Sequence, residues 1–199
     1  MTVPPPPAGR VLFAGDLVDT EATEALGRRL AGLLRAGDLL VLTGPLGAGK
    51  TTLTRGLGAG LQVRGQVASP TFVLARTHPT ASGVPLVHVD AYRLGGADEL
   101  DDLDLDYEGS VVVVEWGAGL LDGVAESWLD VVIERPTGAG GELGDDGRDR
   151  EGRPDSKPVP VPEPESDPDP DPDDVADEPR RLTITAHGPR WEGVRLTTD

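Results

Sequence analysis

The sequence predicts an α/β fold, a sheet flanked by helices, carrying a disordered acidic insertion. Three observations lead there. Short apolar runs of strand length alternate with a segment of helical period after residue 20, the pattern of helices packed on a largely parallel sheet. A glycine-rich turn joins the unbroken apolar run Leu39–Leu42 to a helix-forming stretch. The composition then breaks between residues 142 and 178, where 15 acidic and 4 basic side chains supply eleven of the seventeen net negative charges.

The elements follow in order. Val11–Phe13 is a short strand. Asp19 or Thr20 caps a helix that places Leu26, Leu30, Leu33 and Leu34 on one face and ends near Gly37. Leu39–Thr43 is a buried strand, because its apolar run is continuous. A second helix starts at about Lys50 and runs to Leu61. Thr71–Thr77 and Pro85–Val89 form two strands joined by the turn-rich Pro79–Gly83. Ser110–Val114, the most hydrophobic strand, lies centrally. Trp128–Glu134 and Arg181–Ala186 are strands on either side of the acidic segment.

Residues 1–136 and 180–199 thus make one domain, and 137–179 reads as a disordered acidic Pro-rich loop replacing a hairpin turn, where long insertions cost little. Residues 142–178 hold eight prolines and, as apolar side chains, only Leu143, Val159, Val161, Val175 and Ala176. That is too little apolar surface to offset an ordering entropy of about 1–2 kcal/mol per residue. Asp alternates with Pro over Asp167–Asp173, giving an extended, self-repelling run. The segment reads as a solvated spacer or as an acidic docking tail.

Composition excludes several classes. A net charge of −17 argues against a free-standing nucleic-acid binder, since backbone phosphates are repelled at long range. The absence of Cys removes disulfide scaffolds, thiolate zinc sites and Cys nucleophiles together. The apolar runs Leu39–Leu42 and Val111–Val114 are too short to cross a bilayer. Met1-Thr2-Val3 and the four prolines after it lack the basic and apolar regions of a signal peptide. The expectation is a soluble cytoplasmic protein without a membrane partner.

The chemistry concentrates in Gly44-Pro45-Leu46-Gly47-Ala48-Gly49-Lys50-Thr51, which fits the phosphate-binding pattern G-x-x-x-x-G-K-[ST] at every fixed position. It makes the fold P-loop NTPase-like. Glycines let the backbone curl so that successive N–H groups face an anion, and the helix starting at Lys50 adds its positive end. Lys50 reaches the β- and γ-phosphates and the Thr51 hydroxyl takes Mg²⁺. The chain has 16 Arg but only two Lys, and the other, Lys157, lies in the acidic segment. No lysine remains in the folded region for the Asn-Lys-x-Asp motif that reads guanine, so ATP is the expected nucleotide.

Two acids occupy the carboxyl ends of strands, where open α/β sheets bind ligands. Asp90 ends Leu86–Val89 and Glu115 ends Val111–Val114. Either suits the Mg²⁺-holding role, and spacing does not say which holds metal and which handles the attacking water. Ser69-Pro70-Thr71 follows the phosphate-loop helix as a γ-phosphate-sensing switch or as an ST-turn opening a strand. His88 shares the sheet face of Asp90 by alternation and is either structural or part of the site. Arg93 either meets phosphate or pairs with the acids of Asp98–Asp106. Trp116 either stacks on a base or covers the sheet edge.

Together, Gly44–Thr52 (GPLGAGKTT), Ser69–Phe72 (SPTF), His88–Leu94 (HVDAYRL) and Glu115-Trp116 closely resemble the TsaE family, bacterial P-loop ATPases of tRNA N6-threonylcarbamoyladenosine synthesis. The resemblance runs from about Leu12 to Glu134 and resumes at Arg180, where Thr183–Gly188 resembles the last family strand. It implies a three-layer α/β fold and cytoplasmic ATP hydrolysis driving the cycle of a TsaD transferase and its companion TsaB, with tRNA met only through that complex. By the same resemblance Gly47, Ala48, Gly49, Lys50, Thr51 and Thr52 hold the triphosphate, and Thr51 with Glu115 holds Mg²⁺. Asp90 sits by the γ-phosphate as water positioner or switch acid, Ser69–Phe72 (with Thr71) forms a switch, Trp116 lies beside the site, and the segment around Thr23 lies near adenine. Pro45 departs from the acid common there in the family, and 137–179 lies outside the family pattern.

The expected reaction transfers a phosphoryl group to water, using Lys50, the loop amides and Mg²⁺ for charge and Asp90 for water. None of Arg64, Arg76 and Arg93 is an unambiguous arginine finger, which implies slow turnover alone. Three alternatives stand beside this: a small-molecule P-loop kinase, a nucleotide-gated interaction subunit, and an electrostatic mimic acting through the acidic segment.

Overall fold

The computed structural model describes residues 9–70, 72–121, 124–135 and 178–196. In chain order the elements are β1 (Arg10–Leu17), α1 (Thr20–Ala31), β2 (Leu39–Thr43), α2 (Lys50–Gly60), β3 (Ala75–His78), β4 (Leu86–Asp90), α3 (Ala97–Asp101), β5 (Val111–Glu115), β6 (Trp128–Glu134) and β7 (Arg180–His187), followed by a 3-10 turn at Pro189–Trp191. The strands make one mixed sheet in the order β1-β7-β6-β2-β5-β4-β3. β6, β2, β5 and β4 run parallel, while β3, β7 and β1 pair antiparallel to their neighbours.

Strands β4 and β5 are buried at every residue and β2 at all but Thr43, as unbroken apolar runs require. Alternation then divides the side chains. Leu40, Leu42, Val111, Val113 and Ile133 face Leu26, Leu30, Leu53 and Leu57 of α1 and α2. Leu39, Val41, Val87, Val89, Val112 and Val114 face the other way, toward Leu100 of α3 and toward Leu94, Leu103 and Leu120 in irregular segments. Both faces of this α/β sheet are therefore covered, but one by two full helices and the other by a five-residue helix and loops.

Asp19 is the N-cap of α1, its Oδ1 accepting the Ala22 N–H at 2.7 Å. The helix ends at Ala31 rather than near Gly37, because from Gly32 onward the N–H groups close three residues back, Leu33 to Leu30 and Leu34 to Ala31. The tightened turns keep both leucines packed on the core. β1 is longer than Val11–Phe13, since pairing with β7 carries it from Arg10 to Leu17. β3 begins at Ala75 rather than at residue 71. Before it, Val73 and Leu74 both donate to the Pro70 carbonyl, a turn that ends with Leu74 at φ +65°. Thr71 lies outside the described residues.

β6 and β7 are antiparallel neighbours with Glu134 opposite Arg181, the geometry of a hairpin. At its mouth Arg135 pairs with Glu178 at 2.7 Å. Residues 136–177, and with them nearly all of the expected acidic loop, lie outside the described residues. Among the described residues no helix is long and apolar enough to cross a membrane.

Candidate functional site

The four parallel strands deliver their carboxyl ends to one edge of the sheet. Thr43, Asp90, Glu115 and Glu134 end there, so the loop after β2 and both strand-end acids meet. Asp90 and Glu115 are direct partners in the β4–β5 ladder.

The glycine-rich turn Gly44–Gly49 wraps the N-terminus of α2. Gly47 and Gly49 adopt φ +72° and +100°, left-handed conformations that turn amide groups inward and that only glycine takes without strain. Gly49 is the N-cap, with no side chain covering the first helical amides. Lys50 is 1% exposed. Its Nζ donates to the carbonyls of Gly44 at 3.2 Å and Pro45 at 3.1 Å, and lies 4.1 Å from the centroid of the Trp116 ring. Trp116 takes φ +63°, a strained conformation for a non-glycine residue. The Tyr92 ring tilts against it at 5.2 Å.

The carboxylate of Glu115, 3% exposed, is the hub. Its Oε1 accepts the Thr51 hydroxyl at 3.0 Å and lies 2.7 Å from His88 Nε2. Asp90 is buried too, and its Oδ1 accepts the Tyr92 N–H at 2.9 Å. The Asp90 N–H in turn donates to the Leu74 carbonyl at 2.8 Å, which fastens the Pro70–Leu74 turn beside this acid. Phe72 in that turn is 92% exposed. Glu115 thus accepts the loop hydroxyl, and Asp90 is tied to the backbone of the two flanking turns.

Thr23 stands apart from these contacts. It is buried in the first turn of α1, and its hydroxyl donates to the Asp19 carbonyl at 3.1 Å. Arg93 is exposed beside Tyr92.

One neighbour of the loop was missed by sequence reasoning. Arg180 is fully buried, and a Cβ on Gly49 would lie 3.3 Å from its Nε. β7 runs antiparallel to β6, so its first residue lies beside the carboxyl end of β6 and therefore beside the loop. No local motif marks it, because the contact spans 131 positions of chain.

The residues present fit a triphosphate with its metal. Thr52 Oγ1 is buried without a hydrogen-bond partner among the described residues, at the helix end where a phosphate oxygen is the matching acceptor. Among the described residues no group of three or more His, Asp or Glu side chains is placed to hold a metal alone. One hydroxyl and one carboxylate suit Mg²⁺, which takes its remaining ligands from phosphates and water.

The family model for "Threonylcarbamoyl adenosine biosynthesis protein TsaE" matches residues 17–140. The chain belongs to the TsaE family. The tRNA threonylcarbamoyladenosine biosynthesis protein TsaE of Streptomyces coelicolor is 51% identical over 170 residues, covering 83% of this chain and 91% of the relative. The TsaE protein of Bacillus subtilis is 39% identical over 121 residues, covering 59% and 75%. The crystal structure of YdiB from Bacillus subtilis superposes with a TM-score of 0.58 at 27% identity, covering 93% of this chain and 91% of that one. A role in threonylcarbamoyladenosine biosynthesis on tRNA comes with membership of TsaE, and the glycine-rich loop and both strand-end acids lie within the matched region.

Proposed function

We propose that this TsaE-family chain is a Mg²⁺-dependent ATP hydrolase that drives the cycle of the TsaD/TsaB transferase complex in cytoplasmic tRNA modification. One observation carries the reading: the Thr51 hydroxyl of the phosphate loop donates to the strand-end carboxylate of Glu115 at 3.0 Å. That bond joins the start of the helix after the loop to the end of a neighbouring strand, so the two oxygen-bearing side chains stand together at the loop. In a nucleotide site the bond would keep Thr51 and Glu115 together as the pair that holds the metal.

Thr51 and Glu115 would hold the Mg²⁺, whose contribution would be to neutralise phosphate charge. The chain does the rest. Gly47 and Gly49 present their amides, and Thr52 offers its unpartnered hydroxyl. Lys50 exchanges two neutral carbonyl acceptors for phosphate oxygens, which form stronger charge-assisted bonds. The Arg180 guanidinium packs behind Gly49 and adds positive potential under the nest. Asp90, buried at the adjoining strand end, is the acid we assign to orienting water. Hydrolysis by this residue set needs positioning and electrostatics rather than covalent chemistry. The missing charge at the γ-phosphate is assigned to the partner, so turnover alone is slow.

The test is phosphate release from Mg-ATP by the purified chain, alone and with the TsaD–TsaB pair. Strong stimulation supports the reading; bound ATP with no stimulation favours nucleotide-gated docking, and a phosphorylated small product would reveal a kinase. Lys50→Ala removes a charge-assisted contact of about 1.5–3 kcal/mol and is expected to weaken ATP binding about 10–100-fold. Unchanged binding refutes the site.

A further inference from the structure

Within this reading of the site, we propose that His88 is a positioning residue for Glu115 that presets the Thr51–Glu115 pair for the divalent cation. The inference rests on the proposed Mg-nucleotide reading but concerns a side chain that touches neither nucleotide nor reacting atoms. Leu86, His88 and Asp90 alternate onto one face of β4, and Val111, Val113 and Glu115 onto the same face of β5. The parallel register sets His88 opposite Val113, one position short of the acid along that face. An imidazole reaching toward the carboxyl end of the sheet meets Glu115 there, and Nε2 lies 2.7 Å from Oε1.

The pattern of partners fixes the tautomer. His88 is 0% exposed, and its Nδ1 has no hydrogen-bond partner among the described residues. A buried N–H without a partner is costlier than a bare lone pair facing apolar atoms, and an ionised carboxylate accepts only. The proton therefore sits on Nε2 and is donated to Glu115. Oε1 then takes two donors, from Thr51 and from His88. With Oε1 engaged by two donors, Glu115 is held in one rotamer, which leaves its second oxygen free of these two bonds to serve a cation. This is the arrangement in which a group outside the coordination sphere orients the ligand, and its loss typically costs about 10–100-fold in metal affinity.

The experiment compares the unmodified protein with His88→Leu, which removes the donor, and His88→Gln, which restores an N–H near the Nε2 position. Affinity for a fluorescent ATP analogue is measured in Mg²⁺ and in EDTA, and Mn²⁺ binding with the analogue present is followed by electron paramagnetic resonance. His88→Leu is expected to weaken Mn²⁺ binding and Mg²⁺-dependent nucleotide affinity about tenfold, to leave affinity in EDTA within twofold, and to be largely rescued in His88→Gln. Equal losses in Mg²⁺ and EDTA, no loss, or no rescue overturn the proposal. If His88→Leu does not fold, the imidazole ¹⁵N shifts of the unmodified protein decide: a protonated Nδ1 with a bare Nε2 overturns it. Failure of the underlying reading looks different, because the unmodified protein then binds no nucleotide under either condition.

Discussion

At the scale of single residues the site is built on backbone geometry before side-chain chemistry. Gly49 has φ +100°, and a Cβ there would meet Arg180 Nε at 3.3 Å and Cζ at 3.5 Å. An alanine at this position incurs about 1–2 kcal/mol of left-handed strain in addition to that contact. It relieves both by rotating the peptide, which turns the loop amides away from the anion. Gly49→Ala is therefore expected to lower ATP affinity about tenfold for each 1.4 kcal/mol so lost, with most of the thermal stability retained. Isothermal titration of ATP checks this, and an affinity equal to that of the unmodified chain would show that the loop amides do not carry binding. Trp116 is the complementary case. Its φ of +63° is tolerated by a bulky residue, and the conformation lays the indole face beneath the Lys50 ammonium.

At the scale of elements, the phosphate loop is only as well placed as α2, whose backbone is seated directly on α1. A Cβ on Gly27 would lie 2.5 Å from the Leu53 carbonyl oxygen and 2.8 Å from the Leu57 nitrogen, and one on Gly56 would press on the Glu24 carbonyl. These neighbours are backbone atoms and cannot swing aside. A Gly→Ala change inside a helix ordinarily gains about 0.5–1 kcal/mol. Gly27→Ala should instead cost about 1–3 kcal/mol by overpacking, read from urea denaturation, and should weaken ATP binding as α2 is displaced. A gain in stability would mean the helices are not held this close. The edge strand β3 supplies a pH prediction. Burial lowers the His78 pKa from its ordinary 6.5, and the nearby Arg76 charge lowers it further. The unfolded chain therefore takes up this proton first as the pH falls. His78's contribution is complete above about pH 6.5, declines below it, and levels off beneath the folded-state pKa. Denaturation midpoints between roughly pH 7.5 and 5.5 should fall, and His78→Gln should flatten that fall; an equal slope in both proteins removes the assignment. Sequence legibility follows the same division. Leu39–Thr43, Lys50 and Thr51 are readable because strand, loop and helix start are contiguous. The His88–Glu115 contact is not, since it depends on the register of two strands 27 positions apart, and neither is Arg180, brought in by antiparallel pairing across 136–177. The left-handed Trp116 carries no cue either, having neither Gly nor Asn character.

At the scale of the whole molecule, most of the net charge lies outside the described residues. Residues 137–177 hold 14 acidic and 4 basic side chains, so ten of the seventeen net negative charges lie in this one stretch. The sheet itself is continuous across it: β6 and β7 pair up to Glu134 and Arg181, and Arg135 meets Glu178 at 2.7 Å. Read as a spacer, 137–177 can be replaced by a short Gly-Ser turn between arms that already face each other. For a flexible loop each doubling of length costs about 0.6 kcal/mol, so shortening this one about eightfold should raise stability by about 2 kcal/mol. The net charge of the shortened chain is −7, and nucleotide affinity should stay within twofold because Arg135, Glu178 and Arg180 all remain. Urea denaturation and ATP titration of the two chains make the comparison, with ATPase stimulation by TsaD–TsaB as the third reading. Intact stimulation establishes the spacer. Intact ATP binding with stimulation abolished makes the acidic stretch a docking element that acts on the partners by charge. Loss of ATP binding itself would place part of the stretch at the phosphate loop, which its exit point beside Arg180 makes the sharpest alternative to exclude.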